Sequence, residues 1–403
     1  MAESSTADQA RTAGSPLRRS NLSLRRLQGR AQFTAVMAAG RLADWFVRGE
    51  KPEVDRDVVL ETWDAVSDGA HNSNTDLTFW NDSFYLCHQT SPYHLGSSRS
   101  RMLLWRSQDA RTWDFVREFK ADRGEYRDPT FGQIGDELFI YFLPNRARNP
   151  EPFTTAYTIT TDGNDWTPVT DVDQLGWLFW RPKTIDGKNW YVTAYWHEHG
   201  KSQLLRSSDG RKWETVSHIW EGERNDETDF EFMADGRIIS TARLEGNGTW
   251  RGDAKGSTLI SVAEPPYESW THTKSHVTRL DGPCLFPYNG RVYAVGRYQS
   301  SFFPGVAEQG GLFSRKRTSL FHLDERGLTH LTDLPSAGDT SYAGITVRGD
   351  EAYVSYYTSD VREDPPWVLG MFRPSAIKMA RISLPAMERL ADGKRSAKTA
   401  VPA

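Results

Sequence analysis

The sequence is poor in the features that define several large classes of protein. Its 403 residues include only two cysteines, Cys87 and Cys284, and both fall in strand-like segments, so we expect buried thiols and no disulfide scaffold. No apolar run approaches the roughly 18 residues that a conventional membrane-spanning helix requires. The net charge of −4 argues against a protein built mainly to bind nucleic acid or an anionic membrane.

Aromatic and turn-forming residues are abundant instead. The chain has 15 Trp, 15 Tyr and 19 Phe, together with 32 Gly and 20 Pro, which is typical of many short strands separated by turns. We therefore predict one large β domain over residues 56–386. The flanking segments are predicted to be a disordered basic tail (1–30), an amphipathic helix with a linker (31–55) and a flexible C-terminal tail (387–403).

The N-terminal segment carries little targeting information. Arg18 and Arg19 precede no sustained apolar stretch, so a secretory or twin-arginine signal is weakly supported and the cytoplasm is slightly favoured. No cofactor is indicated, and the sequence does not reveal the oligomeric state. His197 and His199 could suggest a metal site, but no third ligand stands near them in the sequence, so no metal is predicted.

A turn motif repeats along the middle of the chain. Residues 107–113, 160–166 and 207–213 each begin with Ser or Thr, carry Asp two residues later and end in Trp, and a degenerate fourth copy ends at Trp270. The copies lie roughly 50 residues apart, a spacing typical of repeat architectures. The Asp carboxylate can accept bonds from following backbone amides, Gly can take a left-handed conformation, and Trp can anchor the turn in a core.

Hairpin signals occur in the same phase as these turns. Six segments pair strand-like runs around turn residues, in residues 77–86, 131–142, 184–192, 226–243, 285–293 and 345–354. Six inner hairpins, each followed by an outer pair of strands, predict an all-β six-bladed propeller with four antiparallel strands per blade. The segment from Val58 to Asp64 is expected to supply part of the last strand, which would close the ring and remove its exposed edges.

The hairpin turns predict which side chains face each other. In the fourth hairpin, Glu227 and Arg243 lie equally far from Asp235 and should be about 5 Å apart at Cβ. The same counting places Asp281 opposite Arg297 in the fifth hairpin. In the sixth it places Tyr342 opposite Tyr356. The other three blades open with polar residues, which are Asn74–Asp76, Arg127–Asp128 and Arg181. We expect these groups to converge on the channel axis and to favour an anionic or polyhydroxylated ligand.

These residues resemble the sialidase (neuraminidase) superfamily over roughly residues 60 to 385. The Asp-containing turns resemble the Asp boxes (BNR repeats) of that family, and Glu227 with Arg243 resembles its fourth-blade Glu-to-Arg element. Residues 338–342, followed by 353–357, resemble the stretch that carries the tyrosine nucleophile. The similarity is closest to bacterial sialidase-like proteins whose first blade reads like residues 71–77.

The resemblance implies a retaining glycosidase that removes a terminal acidic or polar sugar. By position, Tyr342 would be the nucleophile, Glu227 would accept its proton and Asp76 would be the acid/base. Arg243 and Arg297 would bind a substrate carboxylate. A neutral phenol suits a sugar with a carboxylate on its anomeric carbon, because it approaches with less repulsion than Asp or Glu would.

The first blade departs from the sialidase pattern, since Asn74–Asp76 stands where the family has an Arg-Ile-Pro element. Arg127 or Arg181 could substitute from neighbouring blades, or the substrate could lack that carboxylate. Each of these residues could also have a purely structural role. Glu227 and Arg243 could be a cross-strand ion pair, Arg127 and Asp128 could pair with each other, and Tyr342 could be a packed core residue. Two other functions fit the same scaffold, a carbohydrate-binding propeller without turnover and a uronate lyase.

Overall fold

The computed structural model describes residues 16–122, 124–146 and 152–399. Three helices lie in these ranges, α1 (Pro16–Phe46), α2 (Trp367–Gly370) and α3 (Leu384–Thr399). Nearly all other regular structure is β-strand. Among the described residues, no helix is long and apolar enough to cross a membrane. Cys87 and Cys284 are buried free thiols.

The strands form six small antiparallel sheets within the described ranges. Strand β1 is Val59–Val66. The first sheet contains β2 (His71–Trp80), β3 (Ser83–Ser91), β4 (Arg101–Ser107) and β5 (Asp114–Phe119). The second contains β6 (Glu125–Ile134), β7 (Glu137–Asn145), β8 (Ala156–Thr160) and β9 (Thr170–Asp171). The third contains β10 (Trp177–Phe179), β11 (Lys183–Thr184), β12 (Trp190–Trp196), β13 (Lys201–Ser207) and β14 (Glu214–Glu221).

The remaining sheets follow the same order. The fourth contains β15 (Asn225–Phe232), β16 (Ile238–Leu244), β17 (Ser257–Ala263) and β18 (Trp270–Ser275). The fifth contains β19 (Asp281–Tyr288), β20 (Arg291–Gln299), β21 (Lys316–Asp324) and β22 (Gly327–Asp333). The sixth contains β23 (Thr340–Arg348), β24 (Glu351–Thr358) and β25 (Ala376–Ser383), with β1 as its outer strand. The predicted six-bladed propeller is confirmed.

The ring closes by joining the two ends of the propeller. Strand β1 pairs antiparallel with β25, with Val59 opposite Ile382 and Trp63 opposite Met379. The predicted role of Val58–Asp64 in the last blade is thus confirmed, and the strand extends to Val66.

The flanking helices differ from the sequence expectation. Helix α1 begins at Pro16, inside the segment expected to be a disordered tail, and α3 continues through Thr399, where a flexible tail was expected from residue 387. A helix at the C-terminal end is possible because Leu384, Met387 and Ala391 share one face and are buried against the sixth blade.

The repeated turns share one geometry. In the third blade, Asp209 accepts bonds from the backbone N–H groups of Arg211 and Lys212, at 2.8 and 3.0 Å, while Trp213 is almost fully buried. The turns at Asp109 and Asp162 have the same bonds. All three join the third strand of a blade to its outer strand. Asp186 makes a fourth turn of this kind, between β11 and β12, in a segment that the sequence marks only as a hairpin.

The inner hairpins are irregular at one end. Register shifts interrupt the pairing of the two innermost strands near Asn74, Asp128, Asp226–Glu227, Gly282 and Tyr342. The third blade instead divides its inner strand into β10 and β11. These shifts are β-bulges, which bend a strand and change the direction of its side chains. Five of the six described blades therefore have an out-of-register residue at this end of the inner hairpin.

Candidate active site

A cavity of about 300 Å³ lies at the bulged end of the channel. Its walls come from the inner strands of several blades and from loops that cross the channel mouth. The lining residues are Asn74, His94, Arg127, Asp128, Pro152, Tyr195, His199, Glu227, Arg243, Glu245, Gly248, Thr249, Trp250, Arg279, Arg297, Gly310, Leu312, Tyr342 and Trp367.

Tyr342 and Glu227 form the centre of this cavity. The Tyr342 hydroxyl donates a short hydrogen bond to Glu227 Oε1. The other carboxylate oxygen, Oε2, accepts a 2.7 Å bond from the Gly282 N–H and lies 3.0 Å from Arg243 Nη1. Both side chains are thus fixed by polar contacts from the adjacent blades, which is the precision that a reacting pair requires.

The backbone around the cavity adopts unusual conformations. Tyr342, Asn74 and Asp128 have φ values of 44°, 49° and 42°, in the left-handed region that non-glycine residues seldom occupy. Gly282 has φ of 58°, and a Cβ atom there would lie 2.9 Å from Cγ of Tyr342. The bulges therefore bring these residues to the cavity at a cost in backbone strain, and such strain clusters at functional sites.

The protonation of the central pair follows from burial and charge. Burial and the nearby Glu227 carboxylate raise the pKa of Tyr342 well above its usual value, although Arg243 and Arg297 oppose the shift. Burial also raises the pKa of Glu227, and Arg243 opposes that shift. The phenol is therefore neutral at pH 7, and it needs a proton acceptor at the moment it reacts. Glu227 is already in hydrogen-bond contact with it.

The arginines of the cavity are held by buried partners, most of which are carboxylates. Arg243 bonds both oxygens of Asp226 through Nε and Nη2, and Arg279 bonds both oxygens of Asp281 at 2.7 and 3.0 Å. Arg297 donates to Thr340 O and Tyr357 Oη, each at 2.8 Å. Similarly, Arg127 bonds Glu125 and the His94 carbonyl. These contacts hold the guanidinium groups rigidly, and they offset much of the positive charge.

Two of the guanidinium groups keep an N–H group available to a ligand. In the described part of the chain, Nη1 of Arg279 and Nη1 of Arg297 make no hydrogen bond; the first lies 4.0 Å from Glu245 Oε1 and the second 3.6 Å from Asp281 Oδ2. Both residues line the cavity. They can therefore donate to an anionic or polar group of a bound molecule.

Asp128 is an acidic side chain of the cavity whose pKa is shifted toward neutral pH. Burial and the Glu227 carboxylate raise its pKa to about 7, and its Oδ1 atom has no hydrogen-bond partner among the described residues. A carboxyl with a pKa near the working pH can both donate and accept a proton. Asp128 is therefore suited to acid/base chemistry in the cavity.

Several residues named from the sequence lie elsewhere. Asp76 and Arg181 line a second cavity of about 320 Å³, where Asp76 accepts a 2.7 Å bond from the Phe131 N–H. Arg181 donates to Asp76 and to the carbonyl groups of Pro283 and Ala343. Tyr356 is fully buried in the core of the sixth blade, with its hydroxyl on the Pro335 carbonyl. None of these three residues lines the cavity that contains Tyr342.

The strand pairing explains these placements. Asp281 is paired with Arg297 as predicted, but it lies behind Arg279 and outside the cavity lining. Arg243 stands opposite the bulge that contains both Asp226 and Glu227, so it contacts both. Tyr342 and Ala343 form the bulge opposite Tyr356, between the pairs Ser341–Tyr357 and Gly344–Ser355. The predicted registers hold next to the bulges, and the bulges decide which side chains reach the cavity.

Sequence reasoning missed several residues of the cavity. Arg279 stands two positions before Asp281, so strand alternation could have placed both on one face. Nothing in the sequence around Gly282, apart from the glycine itself, indicates that it lies against Tyr342. Trp250, 57% exposed at the rim, and His94 lie on loops whose positions depend on tertiary packing.

Two groups of side chains could hold a metal ion among the described residues. One comprises His71, His94 and Asp339, and the other comprises His199, Asp226 and Glu245. His197 belongs to neither group; its ring lies against Trp196, with the centroids 4.8 Å apart.

Comparison with known proteins bears on the fold. No protein-family model matches the chain, and no curated protein sequence matches it. The solved structures give matches, including the endosialidase of phage phi92, at 11% identity and a TM-score of 0.59, covering 84% of this chain and 70% of that one. The fold is sialidase-like.

Two further structures extend this comparison. The Trypanosoma rangeli sialidase in complex with sialic acid matches with 13% identity and a TM-score of 0.56, covering 88% of this chain and 61% of that one. A variant of the α-L-arabinofuranosidase of Fusarium graminearum, in complex with an iminosugar inhibitor, matches with 12% identity and a TM-score of 0.54, covering 79% of this chain and 98% of that one. The propeller thus resembles those of glycosidases, and at these identities the likeness concerns the fold alone.

Proposed function

We propose that the protein is a retaining glycoside hydrolase that removes a terminal acidic or polar sugar through Tyr342. The observation that carries the proposal is the hydrogen bond from Tyr342 to Glu227 in an arginine-lined cavity. Structural likeness to sialidases and to an arabinofuranosidase supports the choice of a glycosidase.

In the first step, Tyr342 Oη attacks the anomeric carbon while its proton passes to Glu227. The glycosidic bond breaks, and the leaving oxygen takes a proton from Asp128, whose pKa of about 7 permits this role. In the second step, Asp128 accepts a proton from water, which attacks the anomeric carbon; the bond to Tyr342 Oη breaks, and Oη takes its proton back from Glu227. Asp128 therefore replaces Asp76 as the proposed acid/base, because Asp76 lines the other cavity.

Substrate binding is assigned to the arginines and the rim. Arg279 and Arg297 have Nη1 groups available to an anionic or hydroxyl group of the sugar. Since buried carboxylates balance much of the arginine charge, polar neutral sugars are as acceptable as acidic ones. Trp250 offers an exposed aromatic face at the rim for the apolar side of a sugar ring.

The test is hydrolysis of a panel of aryl glycosides that includes sialosides, uronides and arabinofuranosides. We expect release of the aryl group from at least one of them by the wild type, and a loss of at least about 100-fold in kcat for Tyr342→Phe. Tyr353→Phe is the matched control, because Tyr353 lies on β24 and is not part of the cavity lining. Unchanged turnover in Tyr342→Phe would refute the nucleophile, and an unsaturated product absorbing in the ultraviolet would assign a lyase instead.

A further inference from the structure

His71, His94 and Asp339 bring three buried polar atoms together beside the cavity. His94 Nδ1 lies 2.7 Å from Asp339 Oδ2, and His71 Nε2 lies 3.2 Å from the same oxygen. Both distances suit ion pairs between protonated imidazoles and the carboxylate, but the angles are poor for hydrogen bonds, and no other described residue bonds these three atoms. Buried polar groups are nearly always satisfied, so a group of three needs a physical explanation.

The tautomer of His71 makes the contact more unusual. Its Nδ1 atom lies 2.9 Å from the carbonyl oxygen of Arg373, and because a carbonyl only accepts, Nδ1 must carry a proton. In the neutral ring, Nε2 is then an acceptor that lies 3.2 Å from the Asp339 carboxylate. Two acceptors this close repel each other unless a second proton on the ring or a bound metal ion supplies a positive charge.

The surroundings match those of a metal ligand set. A histidine that binds a metal through one nitrogen usually donates its other N–H to a carbonyl or carboxylate, as His71 does to Arg373. Asp339 Oδ1 accepts from Tyr357 Oη at 2.9 Å and from Trp367 Nε1 at 2.8 Å. These donors orient the carboxylate and leave Oδ2 to the two histidines.

The second group of possible ligands is different. There Asp226 is bonded by both Nε and Nη2 of Arg243, and Glu245 is 3.2 Å from Arg224 Nη2. A cation would have to displace a guanidinium group to reach these carboxylates. At Asp339, Arg297 Nη2 donates a 3.4 Å bond to Oδ1, while the histidines contact the other oxygen, Oδ2.

We propose that His71, His94 and Asp339 form a binding site for a divalent transition metal ion, of which zinc is the best fit. Two imidazole nitrogens with one carboxylate oxygen suit zinc, whereas magnesium and calcium prefer oxygen ligands alone. Zinc bonds of about 2.0–2.2 Å would require the 2.7 Å contact between His94 and Asp339 to open slightly. This inference does not depend on the proposed glycosidase activity.

The site would link the two ends of the propeller. His71 opens β2 of the first blade, Asp339 precedes β23 of the sixth, and His94 stands in the loop after β3. A metal ion held by all three would join the first and last inner strands where the ring closes. It would also fix His94 in the cavity wall. With three protein ligands the ion would keep one coordination position open, and its role at the ring seam would be to join the first and sixth blades.

The experiment uses the full chain without an affinity tag, stripped with a chelator and then titrated with Zn²⁺ by calorimetry. We expect one equivalent to bind and the melting temperature to rise when it does. Loss of outer contacts alone weakens metal sites by about 10–100-fold, so His94→Gln and Asp339→Asn should weaken zinc binding by at least about 100-fold. Mg²⁺ should not bind at comparable concentrations.

The matched control is His330→Gln, because His330 also pairs with a carboxylate, Asp333 at 2.8 Å, but has no second histidine beside it. Zinc affinity should be unchanged in this variant. If the wild type binds no zinc and its melting temperature is the same with and without the ion, the site does not exist. Loss of zinc binding in His199→Gln, with normal binding in His94→Gln, would also overturn the assignment. Should a variant fail to fold, the wild-type titration by itself still decides whether the chain binds zinc.

Discussion

Replacing Gly282 with alanine tests the geometry of the central tyrosine without removing any polar group. Gly282 has φ of 58°, and a Cβ atom would lie 2.9 Å from both Cγ and Cδ2 of the Tyr342 ring. A left-handed conformation costs an alanine about 1–2 kcal/mol. The ring collision adds roughly 1–3 kcal/mol of overpacking. We therefore expect Gly282→Ala to lower the free energy of unfolding by about 2–5 kcal/mol.

Gly349→Ala separates these two contributions. Gly349 has a similar φ of 63°, but a Cβ atom there meets nothing within 4 Å, so this variant should lose only the conformational part, about 1–2 kcal/mol. Urea denaturation of both variants measures the difference. On the proposed mechanism, a ring displaced by up to about 1 Å should also lower turnover by roughly 100-fold in Gly282→Ala alone. Equal losses of stability in the two variants would show that the Tyr342 ring does not lie against Gly282.

Three other changes are informative. Burial raises the pKa of Asp128 to about 7, so the wild-type protein is most stable at low pH, where Asp128 is neutral, and it loses free energy of unfolding as the pH rises through that value. Asp128→Asn stays neutral, so in urea denaturation its free energy of unfolding should increase relative to the wild type between about pH 4 and pH 8, by as much as about 4 kcal/mol. A gain that does not depend on pH would contradict this. Asp209→Ala removes the acceptor of two backbone bonds in a repeated turn and should cost about 1–3 kcal/mol in the same assay, whereas an unchanged midpoint would mean that the turn is held by Trp213 alone. Lys183→Met leaves Asp229 and Glu231 buried without their cation and should cost about 3–5 kcal/mol at pH 7, and a loss below about 1 kcal/mol would mean that Lys183 does not stabilise this buried pair of acids.

The architecture was predictable because it repeats. The Asp-to-Trp turns and the hairpin signals recur in phase, and each of these local patterns has a physical cause that does not depend on the rest of the chain. The closure by β1 was also accessible, since an array of blades leaves two edges that must be covered. The helix α3 was missed because its polar composition hides one short buried face.

The cavity was only partly predictable because bulges decide which side chains enter it. Side chains alternate along a regular strand, so one extra residue reverses every later position. Asn74 therefore lines the cavity and Asp76 does not, while Tyr357 contacts Arg297 in place of Tyr356. The sequence shows no feature that distinguishes a bulged Asn74 from a regular one. Glu227 and Tyr342 were named first from the hairpin registers and then from the resemblance to sialidases, and both line the cavity.

The pairing of β1 with β25 also determines how the molecule responds to force. Val59 begins β1, and its partner Ile382 stands near the end of β25, so the chain enters and leaves the ring at the same end of this pair. Tension between the two ends therefore loads the hydrogen bonds of the pair one after another, as in a zipper, and not all together in shear. A machine that pulls on the ends of this chain would first have to release α1 and α3, which lie outside this pair. Among the strands, β1 would then detach first, and the sixth blade would lose its outer strand.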